Sequence, residues 1–204
     1  MRITAARFVG AAALPGTEPP PGPPEIAVAG RSNVGKSSLL NAVLGHRGLA
    51  RTSSTPGRTR QLNFFLVNER FHLVDLPGYG YAAGPESERQ AWGPLVETYL
   101  RSRPTLRGCV VLVDLRRGLE REEIELLAFL AEIGCPAALV ATKTDKLGRG
   151  AAATALRKLE GTAGGAVPVV GISARTGAGR DRFWDVVAPW LDAAPPGRQK
   201  GGGA

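Results

Sequence analysis

Gly30-Arg31-Ser32-Asn33-Val34-Gly35-Lys36-Ser37 sets two glycines, an ammonium and a hydroxyl in one eight-residue run. It matches the G-x-x-x-x-G-K-[ST] spacing without a gap, between the apolar stretch EIAVA and a predicted helix starting at Lys36. The glycines let the backbone wrap closely round a phosphate with its N–H groups turned inward. The helix N-terminus adds partial positive charge at the same place. Lys36 would neutralise the β- and γ-phosphate oxygens, and Ser37 would offer its hydroxyl to Mg²⁺.

Three more segments follow predicted strands directly. Asp75-Leu76-Pro77-Gly78 follows FHLVD. A carboxylate there can hold Mg²⁺ through a water, and the Gly78 N–H can reach a γ-phosphate unobstructed by a side chain. Thr142-Lys143-Thr144-Asp145 follows PAALVA. The Asp145 carboxylate would accept from the two adjacent N–H donors of guanine, a pair that adenine lacks. The Lys143 stem would lie over the base, and Thr142 stands where Asn is commoner, which is expected to trim one supporting hydrogen bond. Ile172-Ser173-Ala174 follows VPVVG, where a backbone N–H would meet the guanine carbonyl oxygen. Between the first two segments lies a polar basic loop. Its stretch Gly57-Arg58-Thr59-Arg60-Gln61 is read as facing the nucleotide. Thr59 would reach Mg²⁺ and the γ-phosphate only while that phosphate exists, which makes the loop a sensor.

These residues need elements that bring them to one edge. Apolar runs predict buried strands over 25–29, 61–67, 70–75, 108–114, 136–141 and 166–172, with Asn68-Glu69 as a hairpin turn. Helices are predicted over 36–44, 86–102, 120–133, 151–160 and 179–193. Such alternation gives a three-layer α/β domain, with a mostly parallel six-stranded sheet and helices on both faces. Ligands of such sheets bind outside the carboxyl ends of the strands. Residues 1–24 are read as an N-terminal strand (Ile3 to Val9) and a Pro-rich connector, 25–193 as the main domain, and 194–204 as a disordered tail.

The chain has 204 residues, 43% hydrophobic and 22% charged, as expected for one globular domain. No apolar run is long enough to span a membrane. The N-terminus does not resemble a secretory signal, so a cytoplasmic location is expected. Cys109 and Cys135 sit in apolar runs and are expected to be buried free thiols. Trp92, Trp184 and Trp190 are read as helix packing residues, and Asp114 as a strand-end cap. The formal net charge is +8, and residues 30–70 hold seven bases against one acid, Glu69. A polyanion such as RNA would bind such a patch through its phosphates.

The segments GRSNVGKSSLLN, TPGRTRQLNFF, DLPGYGYA and TKTDKL together resemble the EngB family (also called YihA or YsxC) of translation-factor-related P-loop GTPases. The resemblance runs from about Ile3 to Leu191. It implies a G domain acting as a GTP switch in assembly of the large ribosomal subunit, on its rRNA, and needed for normal division and septation. It also implies Mg²⁺ roles for Ser37 and Thr59, with Lys36, Thr59 and Gly78 serving hydrolysis, in a monomer. One departure is Arg60, where the family usually has Gln. Tyr79 occupies the position at which many GTPases carry a water-orienting glutamine, so slow intrinsic hydrolysis is expected. Asn33 stands where related GTPases ligate K⁺, which makes potassium assistance an expectation to test. Two other classes share some of these features: a division regulator acting through a protein partner without RNA, and an ATP-using metabolic kinase, against which TKTD argues.

Overall fold

The computed structural model describes residues 1–46, 48–50, 61–79 and 93–193. The strands are β1 (Ala6–Ala12), β2 (Glu25–Gly30), β3 (Leu62–Val67), β4 (Phe71–Asp75), β5 (Leu106–Asp114), β6 (Ala137–Thr142) and β7 (Val169–Gly171). The helices are α1 (Lys36–Leu44), α2 (Gly93–Ser102), α3 (Arg121–Glu132), α4 (Arg149–Thr162) and α5 (Arg180–Asp192), with a short 3₁₀ turn at Thr144–Lys146. No helix among the described residues is long and apolar enough to cross a membrane.

One sheet has the order β1-β3-β4-β2-β5-β6-β7. β2 pairs in parallel with β4 and β5, and β6 and β7 continue the parallel half. β3 runs antiparallel to β4 and to β1. All six residues of β2 are buried, as a strand covered on both faces requires. Ile26 and Val28 pack with Leu39, Leu40 and Val43 of α1 and with Phe183, Trp184 and Val187 of α5. Ala27 and Ala29 face the opposite layer, which holds Tyr99 and Leu100 of α2, Leu126 and Leu130 of α3 and Leu159 of α4. The three layers expected from the alternation are present.

The expected six strands become seven, because the N-terminal strand joins the same sheet by pairing with β3. That strand also starts later than Ile3. Asn68, at φ 50° in the hairpin turn, accepts from the N–H groups of Thr4 and Ala5 and donates to Arg2 O. Those amides are therefore held by a side chain rather than by the ladder. Asn68 and Glu69 are both left-handed, the conformation a two-residue hairpin turn needs. At the other edge the strand predicted over 166–172 shrinks to Val169–Gly171. Gly164 and Gly165 are left-handed, the Ala166 N–H is held by Ala163 O in a turn, and Pro168 has no N–H to donate.

Both cysteines are buried and free. Trp184 is fully buried against Phe71 and Phe183. Trp190 lies so close over Gly108 of β5 that a Cβ there would come within 2.4 Å of its ring. Both are packing residues, as expected; Trp92, the expected start of α2 and the tail lie outside the described residues.

Candidate functional site

The carboxyl ends of β2, β4, β6 and β7 lie along one edge of the sheet, and each carries one of the predicted segments. After β2, Gly30 runs into a turn that ends at Gly35, the residue before α1. Gly35 has φ 106° and Asn33 φ 66°, so the loop is wound through left-handed positions that turn its amides inward. Gly30 serves packing: a Cβ would lie 2.9 Å from both Leu112 and Val34 side chains. Val34 itself is buried.

Lys36 reaches from the first turn of α1 to the carboxylate of Asp75 at the end of β4, and both side chains are nearly buried. Burial pushes the Asp75 carboxyl above its ordinary range, and the Lys36 ammonium works against that rise. Leu76 is a core residue whose N–H is held by Val28 O, so only its backbone lies near the site. Pro77 is half-buried and Gly78 exposed. A Cβ at Gly78 would lie 3.0 Å from Ser32 Oγ and 3.3 Å from the Ser32 backbone. The P-loop and this segment are joined by a hydrogen bond from Ser32 N to Tyr79 O (3.0 Å). Tyr79 turns its ring into the core, with its hydroxyl buried and unpartnered among the described residues.

Thr142 ends β6 and donates its hydroxyl to Val34 O at 2.7 Å, with Val113 O at 3.1 Å. With its one donor hydrogen, threonine still ties β6 to the P-loop here. Lys143 has φ 60° and donates its ammonium to Asn33 O at 2.7 Å. Thr144 begins the 3₁₀ turn, and its N–H points to Ile172 O (3.4 Å). The Asp145 carboxylate accepts from Ser173 Oγ at 2.7 Å and lies 3.1 Å from Arg175 Nε. The Ser173 hydrogen bond holds that carboxyl below the usual carboxylate range, and Arg175 adds to the effect. Ile172 is buried, and the Ser173 N–H is held by Ala178 O, which leaves the Ala174 N–H without a partner among the described residues. Sequence reasoning credited this turn with a backbone donor only. The Ser173 hydroxyl and Arg175, both acting on Asp145, were missed, because a contact 28 residues away leaves no local signal.

A cleft of about 320 Å³ lies among Gly35, Leu39, Lys143, Asp145, Ala174 and Arg175. Its lining is mostly apolar and includes the Asp145 carboxylate, the features a guanine base needs. A second cleft of about 370 Å³ lies on the far side of the P-loop, between Asn33 and the β5–α3 connection. There Arg31 pairs with Glu120 and, at 3.5 Å, with Glu122 at the start of α3. Asp114 caps the strand end as expected, accepting from Arg116 N at 3.1 Å, and it also holds the Lys143 ammonium at 3.0 Å.

The Ser37 hydroxyl stands in the first turn of α1 and has no partner among the described residues. Its oxygen is a hard donor of the kind Mg²⁺ takes. Gln61 is exposed at the entry to β3, while Gly57, Arg58, Thr59 and Arg60 lie outside the described residues.

A phosphate-loop motif after β2, with a cleft bordered by the Asp145 carboxylate beyond β6 and β7, is the arrangement of a P-loop GTPase. The comparisons agree and are narrower. A family model described as "50S ribosome-binding GTPase" matches residues 25–143. The chain is 47% identical over 188 residues to "Probable GTP-binding protein EngB" of Desulfatibacillum aliphaticivorans, covering 92% of each chain. It is 53% identical over 147 residues to the protein of the same name in Syntrophotalea carbinolica, covering 72% of this chain and 71% of that one. A crystal structure of a probable GTP-binding protein EngB superposes with a TM-score of 0.64 over 82% of this chain and 98% of that chain, at 24% identity, a likeness of fold. The chain belongs to the EngB family of GTP-binding proteins.

Proposed function

We propose that this GTPase is a Mg²⁺-dependent switch that hydrolyses GTP slowly and acts in assembly of the large ribosomal subunit, with normal division and septation depending on it. The observation that carries the nucleotide half is the meeting of Lys36, Asp75, Thr142 and Asp145 at one sheet edge. Lys36, Ser37 and the P-loop amides would bind the β- and γ-phosphates, and Asp145 with the Ala174 N–H would select guanine. Ser37 and Thr59 would hold Mg²⁺, which when bound supplies positive charge to the phosphate oxygens. Lys36 would exchange Asp75 for phosphate as nucleotide enters. Burial of the Tyr79 ring leaves the position right after Gly78 without a side chain that could orient water, which supports a low intrinsic rate. The Asn33 side chain is exposed and unpartnered among the described residues, which supports K⁺ assistance; equal turnover in K⁺ and Na⁺ would remove that part.

The ribosomal half rests on the family description and on charge. Arg51, Arg58 and Arg60 lie in the loop that would sense the γ-phosphate. We place the protein in the cytoplasm as a monomer. Purified large subunits should sediment with it in a non-hydrolysable GTP analogue, less so in GDP, and less at high salt. A second reading, a division regulator that binds a protein partner, is favoured by one finding: Arg31, Lys36 and Arg70 of the basic window each face a carboxylate. Binding that is absent, or equal in both nucleotides, would select that reading.

A further inference from the structure

Asp114 is the last residue of β5, in register with Thr142 of β6, and is only 7% exposed. Its carboxylate is shared by two cations of different kinds. On the inner side the Lys143 ammonium lies 3.0 Å from Oδ2 and also donates to Asn33 O of the P-loop. On the outer side Arg116 forks onto the same group, with Nε 2.9 Å from Oδ1 and Nη2 2.6 Å from Oδ2. The Arg116 side chain is 46% exposed at the rim of the second cleft. Oδ2 thus accepts from both cations at once. Lys143 is a non-glycine residue in the left-handed region, a conformation that persists only where its surroundings hold it. Asp114 and Asn33 are what its side chain grips.

We propose that Asp114 is a positioning residue for the guanine nucleotide: it holds Lys143 across the P-loop, and Arg116 competes with Lys143 for its carboxylate. The inference rests on the guanine reading of the slot beside Lys143. Asp114 would act through the stem of Lys143, which lines the slot. It follows that the two cations have opposite effects. Loss of the carboxylate frees Lys143 and loosens the base, whereas loss of Arg116 returns Oδ2 wholly to Lys143 and tightens it. An ion pair that merely stiffened the β5–α3 connection would give both changes the same sign.

The test is dissociation of a fluorescent GDP analogue from the full chain and its variants. Asp114→Asn should release it about tenfold faster, the size expected for one charge-assisted hydrogen bond. Its kcat at saturating GTP should stay within about twofold, with KM carrying the change. Lys143→Met should release the analogue at least as fast as Asp114→Asn does, and the double variant should be no faster than Lys143→Met alone. Arg116→Gln should slow release about two- to threefold, as for a half-exposed ion pair. Faster or unchanged release in Arg116→Gln overturns the proposal, and so does a full Asp114→Asn effect on the Lys143→Met background. Should Asp114→Asn fail to fold, the sign of the Arg116→Gln effect decides alone. A wild-type chain that does not bind the analogue overturns the guanine reading and the proposal together; binding with the wrong signs overturns the proposal only.

Discussion

The hydroxyl of Thr142 donates to the carbonyl oxygen of Val34 at 2.7 Å, joining the end of β6 to the phosphate loop 108 residues earlier in the chain. Both residues are buried, so the bond is shielded from water. The segment that would read the base and the loop that would hold the phosphates are therefore tied by a buried bond. Thr142→Val keeps the shape and removes the donor. It should cost about 1 kcal/mol of stability and release GDP several-fold faster, measured by urea denaturation and stopped-flow fluorescence. Unchanged release would show that the bond does not couple the two parts.

Gly78 is held against Ser32. A methyl group there would sit 3.0 Å from Ser32 Oγ and 3.3 Å from backbone atoms that cannot swing away. Gly78→Ala should push this segment off the P-loop. A displacement near 1 Å at a reacting centre costs on the order of 100-fold. Single-turnover GTP hydrolysis should fall by about that factor, while GDP affinity holds within about twofold. Equal loss of both would mean that Gly78 supports the loop and not the γ-phosphate.

The opposite end of β2 carries a buried polar network remote from the nucleotide site. The Glu25 carboxylate is fully buried and accepts from Arg103 (2.7 Å), Thr105 (2.7 Å) and Tyr99 (2.9 Å). Arg103→Met leaves that charge uncompensated and should destabilise the fold by about 3–5 kcal/mol. The double variant Arg103→Met with Glu25→Gln should recover part of the loss in chemical denaturation. An Arg103→Met chain as stable as the wild type would place the stabilisation elsewhere.

His72 lies beside this network, with Nδ1 4.0 Å from Glu25 Oε1. Burial lowers its pKa from the ordinary 6.5, and Arg103 lowers it further against the pull of Glu25. The folded protein therefore binds the proton less readily than the unfolded chain does. The stability owed to His72 is present above about 6.5 and is lost as pH falls from there through the folded-state value. His72→Gln should flatten this slope in denaturation curves taken between about pH 7 and 5.5. An unaltered slope would assign it to another group.

Much of the architecture was legible in the sequence because its signals are local. The apolar runs of β2, β5 and β6 and the spacing in α3 each lie within a dozen residues. The bounds of α1 match the prediction from Lys36 to Leu44, because Gly35 and Gly45, both left-handed, mark its two ends. What was misplaced depended on distant partners. The first strand was set too early because the Asn68 side chain takes the amides of Thr4 and Ala5. Arg31 read as part of a basic patch, yet Glu120 and Glu122 face it from α3.

By itself, then, the sequence determined the chemistry on offer: a phosphate-wrapping loop, a carboxylate suited to guanine and the α/β alternation that carries them. These follow from residue type and short spacing. Only the tertiary structure decided which groups meet. Lys143 stands 110 residues from Asn33, and Lys36 stands 39 from Asp75. Each pair touches because β2 lies between β4 and β5, with β6 beyond β5. Strand order is a property of the whole sheet, set by the joint burial of both its faces, and no local segment of the chain contains it.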